Sequence, residues 1–294
     1  MAYATYEFGG RRRVGVVDRS DPDRARLIPL DGLVELGAHT PTKVLTTALR
    51  CESEAVSVAD VRLCPVVPTP GKIICIGLNY HEHVGETGRE MPTYPVMFTK
   101  FPSTLIGAHD DIVAPPEAIE IDYEAELALV IGRAGRRIPR DRAAHHILGY
   151  SASNDISMRD YQRKTHQWLQ GKAWDRSTPL GPYLVTPDEV ADLGAARIRT
   201  ILNGTVLQDA VISQLIFDIP VLIETISEFT TLLPGDVILT GTPGGVGMKR
   251  QPPVYLTDGD QISVDIAGIG TVTNTIRREV ISDQRLASSV TARK

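Results

Sequence analysis

The chain has few cysteines and no long apolar run. Its 294 residues contain three cysteines, Cys51, Cys64 and Cys75, an odd number without metal-type spacing. This usage argues against a disulfide framework and favours a reducing compartment. No run approaches the roughly 18 apolar residues of a membrane-spanning helix, and the first residues lack the basic start and apolar centre of a signal peptide. We therefore expect a cytoplasmic protein without a membrane partner.

The chain also has no large excess of either positive or negative charge. The formal net charge of −5 is spread over mixed signs, and the basic clusters at residues 11–13 and 136–137 are too short to follow a polyanion. We therefore expect no nucleic-acid partner. A composition that is 42% hydrophobic and 23% charged is that of an ordinary globular protein, with no polar low-complexity tract.

The first 65 residues differ in pattern from the rest of the chain. Short apolar stretches separated by turn residues predict strands at residues 3–8, 14–18 and 25–30. A helical pattern follows at residues 42–50, and the prolines of residues 64–71 predict a linker. We therefore predict a small β-rich N-terminal domain at residues 1–65.

Residues 66–285 are predicted to form a larger catalytic domain, and residues 286–294 a flexible tail. Strands are predicted at residues 72–76, 121–131, 237–240, 261–266 and 271–277. Helices are predicted at residues 140–146, 158–170 and 219–229. The pattern predicts a mainly β fold with some α structure, an α+β class in which a few helices cover the strands.

Acidic side chains recur at every second position over residues 122–126. Alternate side chains of a strand share one face, so Asp122, Glu124 and Glu126 should point the same way. Carboxylates this close repel one another unless a cation lies between them, and hard divalent cations prefer oxygen ligands. We predict a metal site at Glu124 and Glu126, with Asp155 as the third ligand. A solvated strand face and a helix cap at Asp155 remain the alternatives.

A polar stretch with two glycines, Gly85 and Gly88, follows the strand predicted at residues 72–76. It indicates a mobile lid rather than a long helix. His83 and Glu86 are three residues apart, so one helical turn would place them side by side. The carboxylate would then orient the imidazole as a general base, although an exposed ion pair of no catalytic consequence has the same spacing.

Other polar groups lie in apolar or glycine-rich surroundings. Lys172 follows a glycine, and Lys100 is flanked by apolar residues, where either cation could approach a ligand or merely lie at the edge of the core. Residues 240–247 are glycine-rich but lack the ending of a phosphate loop and the spacing of a dinucleotide fingerprint. They predict a tight turn that offers backbone N–H groups and the Thr242 hydroxyl to a carboxylate.

Five ordered motifs together resemble the fumarylacetoacetate hydrolase family, over about residues 72–278. They lie at residues 77–80 with His83 and Glu86, 122–127, 154–160, 170–172 and 239–247. The resemblance implies a mixed β-sandwich roll, commonly a homodimer, preceded by a small N-terminal domain. The family's usual Phe-Asp after the lysine motif is replaced by residues 173–175, Ala-Trp-Asp, a departure at the pocket wall.

The resemblance also implies roles for single residues. Glu124, Glu126 and Asp155 would bind Mg²⁺ or Mn²⁺. His83, Glu86 and Lys172 would be catalytic. We further assign four residues to substrate binding: Lys100, Arg159, Gln162 and Thr242.

These roles predict an enzyme that hydrolyses a carbon–carbon bond in a small 2,4-dioxo acid such as an acylpyruvate. His83 would take a proton from the attacking water, and Lys172 would stabilise the oxyanion. Decarboxylation of oxaloacetate or a related β-keto acid, and isomerisation of an unsaturated 2-oxo diacid, are alternatives at the same site. A metal-dependent binding module without activity is the alternative from another class.

Overall fold

The computed structural model describes residues 1–18, 25–30, 32–37 and 55–281. The helix predicted at residues 42–50 and the tail predicted at residues 286–294 lie outside these ranges. Within them, no helix is long and apolar enough to cross a membrane.

Strands dominate the described part of the chain. They are β1 Ala2–Phe8, β2 Arg11–Asp18, β3 Arg26–Pro29, β4 Val56–Ser57, β5 Arg62–Leu63, β6 Ile73–Gly77, β7 Val96–Lys100, β8 Leu105–Ile106, β9 Ile112–Ala114, β10 Ile121–Asp122, β11 Ala125–Ile131, β12 Ile147–Asn154, β13 Ser157–Met158, β14 Thr178–Val185, β15 Arg197–Leu202, β16 Thr205–Val211, β17 Val237–Leu239, β18 Gln261–Ile266 and β19 Gly270–Arg278.

The helices of the described residues are short. The α-helices are α1 His81–Thr87, α2 Arg159–Gln162, α3 Leu169–Lys172 and α4 Ile219–Phe229. The 3₁₀ turns are Val58–Asp60, Pro102–Thr104, Arg140–His146, Pro187–Glu189, Ile212–Gln214 and Gly247–Lys249. The predicted class, mainly β with a few helices, is confirmed.

The strands form mixed sheets. The largest follows the order β4-β3-β2-β1-β14-β12-β11-β17-β6-β7, and a second sheet follows the order β16-β15-β18-β19-β9. The large sheet includes the N-terminal strands because β1 pairs with β14. The division into domains at residues 1–65 and 66–285 stays a prediction.

Two strand pairings position the candidate site. The antiparallel pairing of β11 with β12 sets Ala125 opposite Asn154 and Glu126 opposite Ser153, so the start of β11 meets the end of β12. The parallel pairing of β17 with β6 sets Leu239 opposite Cys75. The segments that leave these two strands, the glycine-rich turn and the lid, therefore emerge side by side.

The single strand predicted at residues 121–131 is wrong, because Tyr123 and Glu124 separate β10 from β11. The Glu124 backbone N–H donates to the Asn154 side-chain oxygen over 2.9 Å. The Tyr123 N–H donates to the adjacent Asp122 carboxylate over 2.8 Å. Side-chain acceptors thus replace a strand partner here, and the regular alternation of faces is lost.

The helix predicted at residues 158–170 is also wrong, since α2 and α3 are separate helices. Between them the Thr165 hydroxyl accepts a hydrogen bond from the Gln167 N–H and donates to the Gln167 carbonyl, at 3.2 and 3.0 Å. Such local bonds compete with the helical pattern. The prediction at residues 219–229 is confirmed by α4, whose N-cap Asp218 accepts from the Val221 N–H. The segment predicted at residues 140–146 is helical but of the 3₁₀ type.

Candidate active site

Three carboxylates converge beneath the end of the large sheet. Glu126 lies on β11, Glu124 directly precedes it, and Asp155 directly follows β12. One oxygen from each lies within 4.8 Å of the others, and all three residues are buried. The exposed, solvated strand face is thereby excluded. Asp155 does not cap a helix, since the N-cap of α2 is Met158. Its two oxygens instead accept hydrogen bonds from Lys100 and Lys172.

Buried cations surround two of the three acids. Lys172 Nζ lies 2.6 Å from Glu124 Oε2 and 2.7 Å from Asp155 Oδ2. Lys100 Nζ lies 2.6 Å from Asp155 Oδ1. Arg159 Nη2 lies 2.7 Å from Glu124 Oε1. Burial raises the pKa of Glu124, but Lys172 and Arg159 outweigh burial and lower its pKa to about 2.

Glu126 has a different environment. No cationic side chain among the described residues forms an ion pair with it, and the Gly241 backbone N–H donates to its Oε2 over 2.8 Å. Burial, together with the charges of Asp155 and Glu124, raises its pKa well above the usual range. Buried acids of this kind fit a hard divalent cation, which takes oxygen ligands and would supply the positive charge that Glu126 lacks.

Asp122 does not join the cluster. Its carboxylate accepts hydrogen bonds from the backbone N–H groups of Gly247 and Met248, at 2.8 and 3.0 Å, and from Arg159 Nε at 2.8 Å. Arg159 therefore links Asp122 to Glu124. Asp122 holds the end of the glycine-rich turn in place instead of facing the same space as the three converging acids.

His83 and Glu86 are brought together on α1, in the segment predicted to be a lid. His83 Nδ1 lies 2.7 Å from Glu86 Oε1, and the Gly245 backbone N–H donates to Glu86 Oε2 over 2.8 Å. Because a carboxylate accepts, Nδ1 carries the hydrogen in the neutral imidazole, which leaves Nε2 as a base. Gly88, with φ +68°, ends the helix after seven residues, as the glycines of the lid predicted.

Gln208, on β16 of the second sheet, is a site residue that the sequence did not reveal. Its Oε1 accepts from the Ala125 N–H at 3.0 Å and from the Thr200 hydroxyl at 2.6 Å. Its Nε2 donates to the Pro243 carbonyl at 2.8 Å and to the Thr242 hydroxyl at 2.9 Å. A single glutamine in an alternating strand carries no sequence signal for this role.

A cleft of about 550 Å³ opens at the site. Its walls include most of the predicted residues, namely His83, Glu124, Glu126, Arg159, Gln162, Lys172 and Thr242. Gln162 accepts a hydrogen bond from Arg159 Nη1 over 3.0 Å. Lys100 does not line the cleft. Its side chain is fully buried behind Asp155, so it contacts the cluster rather than the open space.

The fold and the buried acidic cluster place the chain among mainly β enzymes with a metal-type carboxylate site. Residues 72–277 match the family described as fumarylacetoacetate (FAA) hydrolase C-terminal. The chain belongs to the fumarylacetoacetate hydrolase family, an enzyme family whose members generally use divalent metals.

Three similar proteins carry specific names. The mitochondrial oxaloacetate tautomerase Fahd2a of Rattus norvegicus is 39% identical over 263 residues, 89% of this chain and 84% of the relative. Oxaloacetate tautomerase YisK of Bacillus subtilis is 44% identical over 225 residues, 75% of this chain and 74% of the relative. The structure of 5-carboxymethyl-2-hydroxymuconate delta-isomerase from Mycobacterium smegmatis matches with a TM-score of 0.80 and 36% identity, covering 95% of this chain and all of that one.

Proposed function

We propose that this protein enolises a small 2-oxo acid, and that its reaction is the interconversion of the keto and enol forms of oxaloacetate or a close 2-oxo dicarboxylate. The observation that carries the proposal is that Glu124, Glu126 and His83 line one cleft. Asp155 completes the buried acid cluster, and Glu86 is bonded to His83. The names of the two tautomerase relatives support the choice of substrate.

Glu124, Glu126 and Asp155 would hold the metal ion. A divalent cation there, Mg²⁺ or Mn²⁺, would supply a Lewis acid for the 2-oxo acid end of the substrate. Both ions accept this ligand set. The remaining chemistry belongs to side chains of the protein.

His83 is the proton carrier of the proposal. With Nδ1 directed to Glu86, Nε2 takes the proton from C3 of the keto acid, and the C3–H electron pair becomes the carbon–carbon double bond of the enolate. Lys172 Nζ stabilises the charge that develops on the 2-oxo oxygen. The protonated His83 then gives the proton it took to that oxygen, which yields the enol and restores the neutral imidazole. Arg159, Gln162 and Thr242 orient the substrate through hydrogen bonds.

The ultraviolet absorbance of the enol tests this reaction. Enolic oxaloacetic acid dissolved with Mg²⁺ relaxes slowly to its keto form, and the protein should accelerate that relaxation while H83A should not. An unchanged relaxation rate at high protein concentration would contradict the proposal. Pyruvate formation, measured in the same sample, distinguishes tautomerisation from decarboxylation.

Carbon–carbon bond hydrolysis of an acylpyruvate is the second candidate. It is favoured by the hydrogen-bonded His83–Glu86 pair, which is arranged to take a proton from water as well as from carbon. Isomerisation of an unsaturated 2-oxo diacid is supported by the name of the mycobacterial structure. Loss of acylpyruvate absorbance, assayed beside oxaloacetate with Mg²⁺ and with EDTA, ranks these reactions.

We also propose a homodimer, which light scattering on purified protein tests.

A further inference from the structure

Five lysine and arginine side chains line the cleft, and carboxylates neutralise three of them. The paired residues are Arg159, Arg163 and Lys172. Arg89 and Lys249, also at the cleft, form no ion pair with any carboxylate in the described part of the chain. The proposed oxaloacetate substrate has a second carboxylate, and a cation of the cleft wall without a carboxylate partner is the kind of group that binds one.

Arg89 has a defined platform, whereas no aromatic ring among the described residues underlies Lys249. The Arg89 guanidinium carbon lies 5.7 Å from the centre of the Trp168 ring. A guanidinium that lies over an aromatic ring still has its N–H groups free at its own edge. Two of these N–H groups can donate to the two oxygens of one carboxylate. Arg89 is exposed and pairs with no carboxylate among the described residues, so no such ion pair has to be broken before a ligand binds.

Trp168 is itself held in place. Its ring meets Phe98 edge-on at 5.6 Å, and Lys172 Nζ lies 5.1 Å from the centre of that same Phe98 ring. Gly77 leaves room for the indole, since a Cβ at that position would lie 2.4 Å from it. A continuous series of contacts therefore runs from Arg89 through Trp168 and Phe98 to Lys172, which contacts the acid cluster.

We propose that Arg89, supported by Trp168, binds the second carboxylate of a 2-oxo dicarboxylate whose 2-oxo acid end lies at the acid cluster. The inference rests on the proposed function. Arg89 follows Gly88, the residue that ends the lid helix of His83 and Glu86. Binding at Arg89 thus fixes the lid segment that carries the proton-transfer pair, and specificity for diacids becomes coupled to catalysis.

The kinetic test compares oxaloacetate with its 4-methyl ester, which lacks the second negative charge. The wild type should prefer oxaloacetate, and R89A should lower kcat/KM for oxaloacetate by about 10- to 100-fold while leaving the ester unchanged. R89K, which keeps the charge but loses the planar fork, should be intermediate. K249A is the matched control and should retain the preference for the diacid.

A binding test uses fluorescence. The chain has two tryptophans, Trp168 and Trp174, so W174F leaves Trp168 as the only emitter. Oxaloacetate should change the Trp168 emission of W174F, and the double variant R89A/W174F should not show that change.

The outcomes separate the two proposals. A preference for the diacid that persists in R89A, or that is lost in K249A instead, overturns the Arg89 site and leaves the enolisation intact. Turnover of neither compound by the wild type overturns the proposed function and the inference with it.

Discussion

Gln208 Nε2 and the Thr242 hydroxyl are joined by a hydrogen bond of 2.9 Å in which the hydroxyl oxygen is the acceptor. The Ala125 N–H can only donate and the Pro243 carbonyl can only accept, so these two backbone groups fix the orientation of the Gln208 amide. The Thr242 hydroxyl must therefore receive this bond, and its own hydrogen is left for another acceptor. Thr242 lines the cleft, which makes it a donor to substrate oxygens.

A double-mutant cycle tests this arrangement. T242V should lower kcat/KM about tenfold, the effect of one hydrogen bond, whereas T242S, which keeps the hydroxyl, should be nearly normal. Q208M should cause a similar loss in the wild type but little further loss in T242V, because the two residues act through one hydroxyl. Independent, additive losses would show that Gln208 does not act through the Thr242 hydroxyl. Denaturant unfolding is the control, since Q208M should cost about 1–3 kcal/mol by leaving backbone groups unpaired.

Removal of the His83 imidazole should abolish proton transfer without loss of metal binding. We expect H83A to reduce kcat by about 10²- to 10⁴-fold, with Mn²⁺ affinity nearly unchanged because His83 is not in the carboxylate cluster. H81A is the matched control, since His81 is exposed on the same helix. Equal activity of the two variants would remove His83 from the mechanism.

Lys172 and a metal ion should compete for the same carboxylates. Its ammonium contacts both Glu124 and Asp155, so K172M should bind Mn²⁺ at least about tenfold more tightly as one repulsive charge disappears. The metal-free variant should lose about 3–5 kcal/mol of unfolding free energy, because two buried acids lose a cation. Thermal melting in EDTA and with Mn²⁺ measures both effects, with K249M as control. Weaker Mn²⁺ binding by K172M would contradict the competition.

Metal binding should strengthen as the pH rises. The pKa of Glu126 in the metal-free protein is raised well above its usual range by burial and by its acidic neighbours, so Glu126 retains its proton where an ordinary glutamate has lost it. A metal ligand must be deprotonated, so metal uptake releases that proton. Affinity should therefore increase with pH until the raised pKa is passed. Calorimetry in buffers of different ionisation enthalpy counts the proton, and E126Q should show no such release.

The sequence predicted the site residues better than it predicted the helices and strands on which they lie. The spacing of His83 and Glu86 required one helical turn, which α1 supplies. The pattern of Glu124 and Glu126 indicated convergence, although the regular strand behind that argument is interrupted at Glu124. The predicted convergence is nevertheless found, because the interruption leaves the Glu124 carboxylate next to the other two acids and in contact with buried cations.

What the sequence did not predict depends on contacts between distant segments. The strand β12 was not predicted because its serines and glycine lack strand propensity, yet Ser151 and Ser153 are buried and donate to carbonyls of β14 at 3.2 and 2.8 Å. Asp122 shares the spacing of the two glutamates. Its oxygens, however, accept hydrogen bonds from the backbone N–H groups of Gly247 and Met248, which are more than a hundred residues away in the sequence. Such partners are set by the tertiary fold and not by local pattern.

The central claim is that the three buried carboxylates hold one divalent ion, and electron paramagnetic resonance of Mn²⁺ tests it directly. Free Mn²⁺ gives a strong solution signal that diminishes on binding, so titration of the purified protein counts bound ions. We predict one tightly bound Mn²⁺ per chain, displaced by Mg²⁺ and lost in D155N. An undiminished signal in the wild type, or equal binding by D155N, would contradict the account.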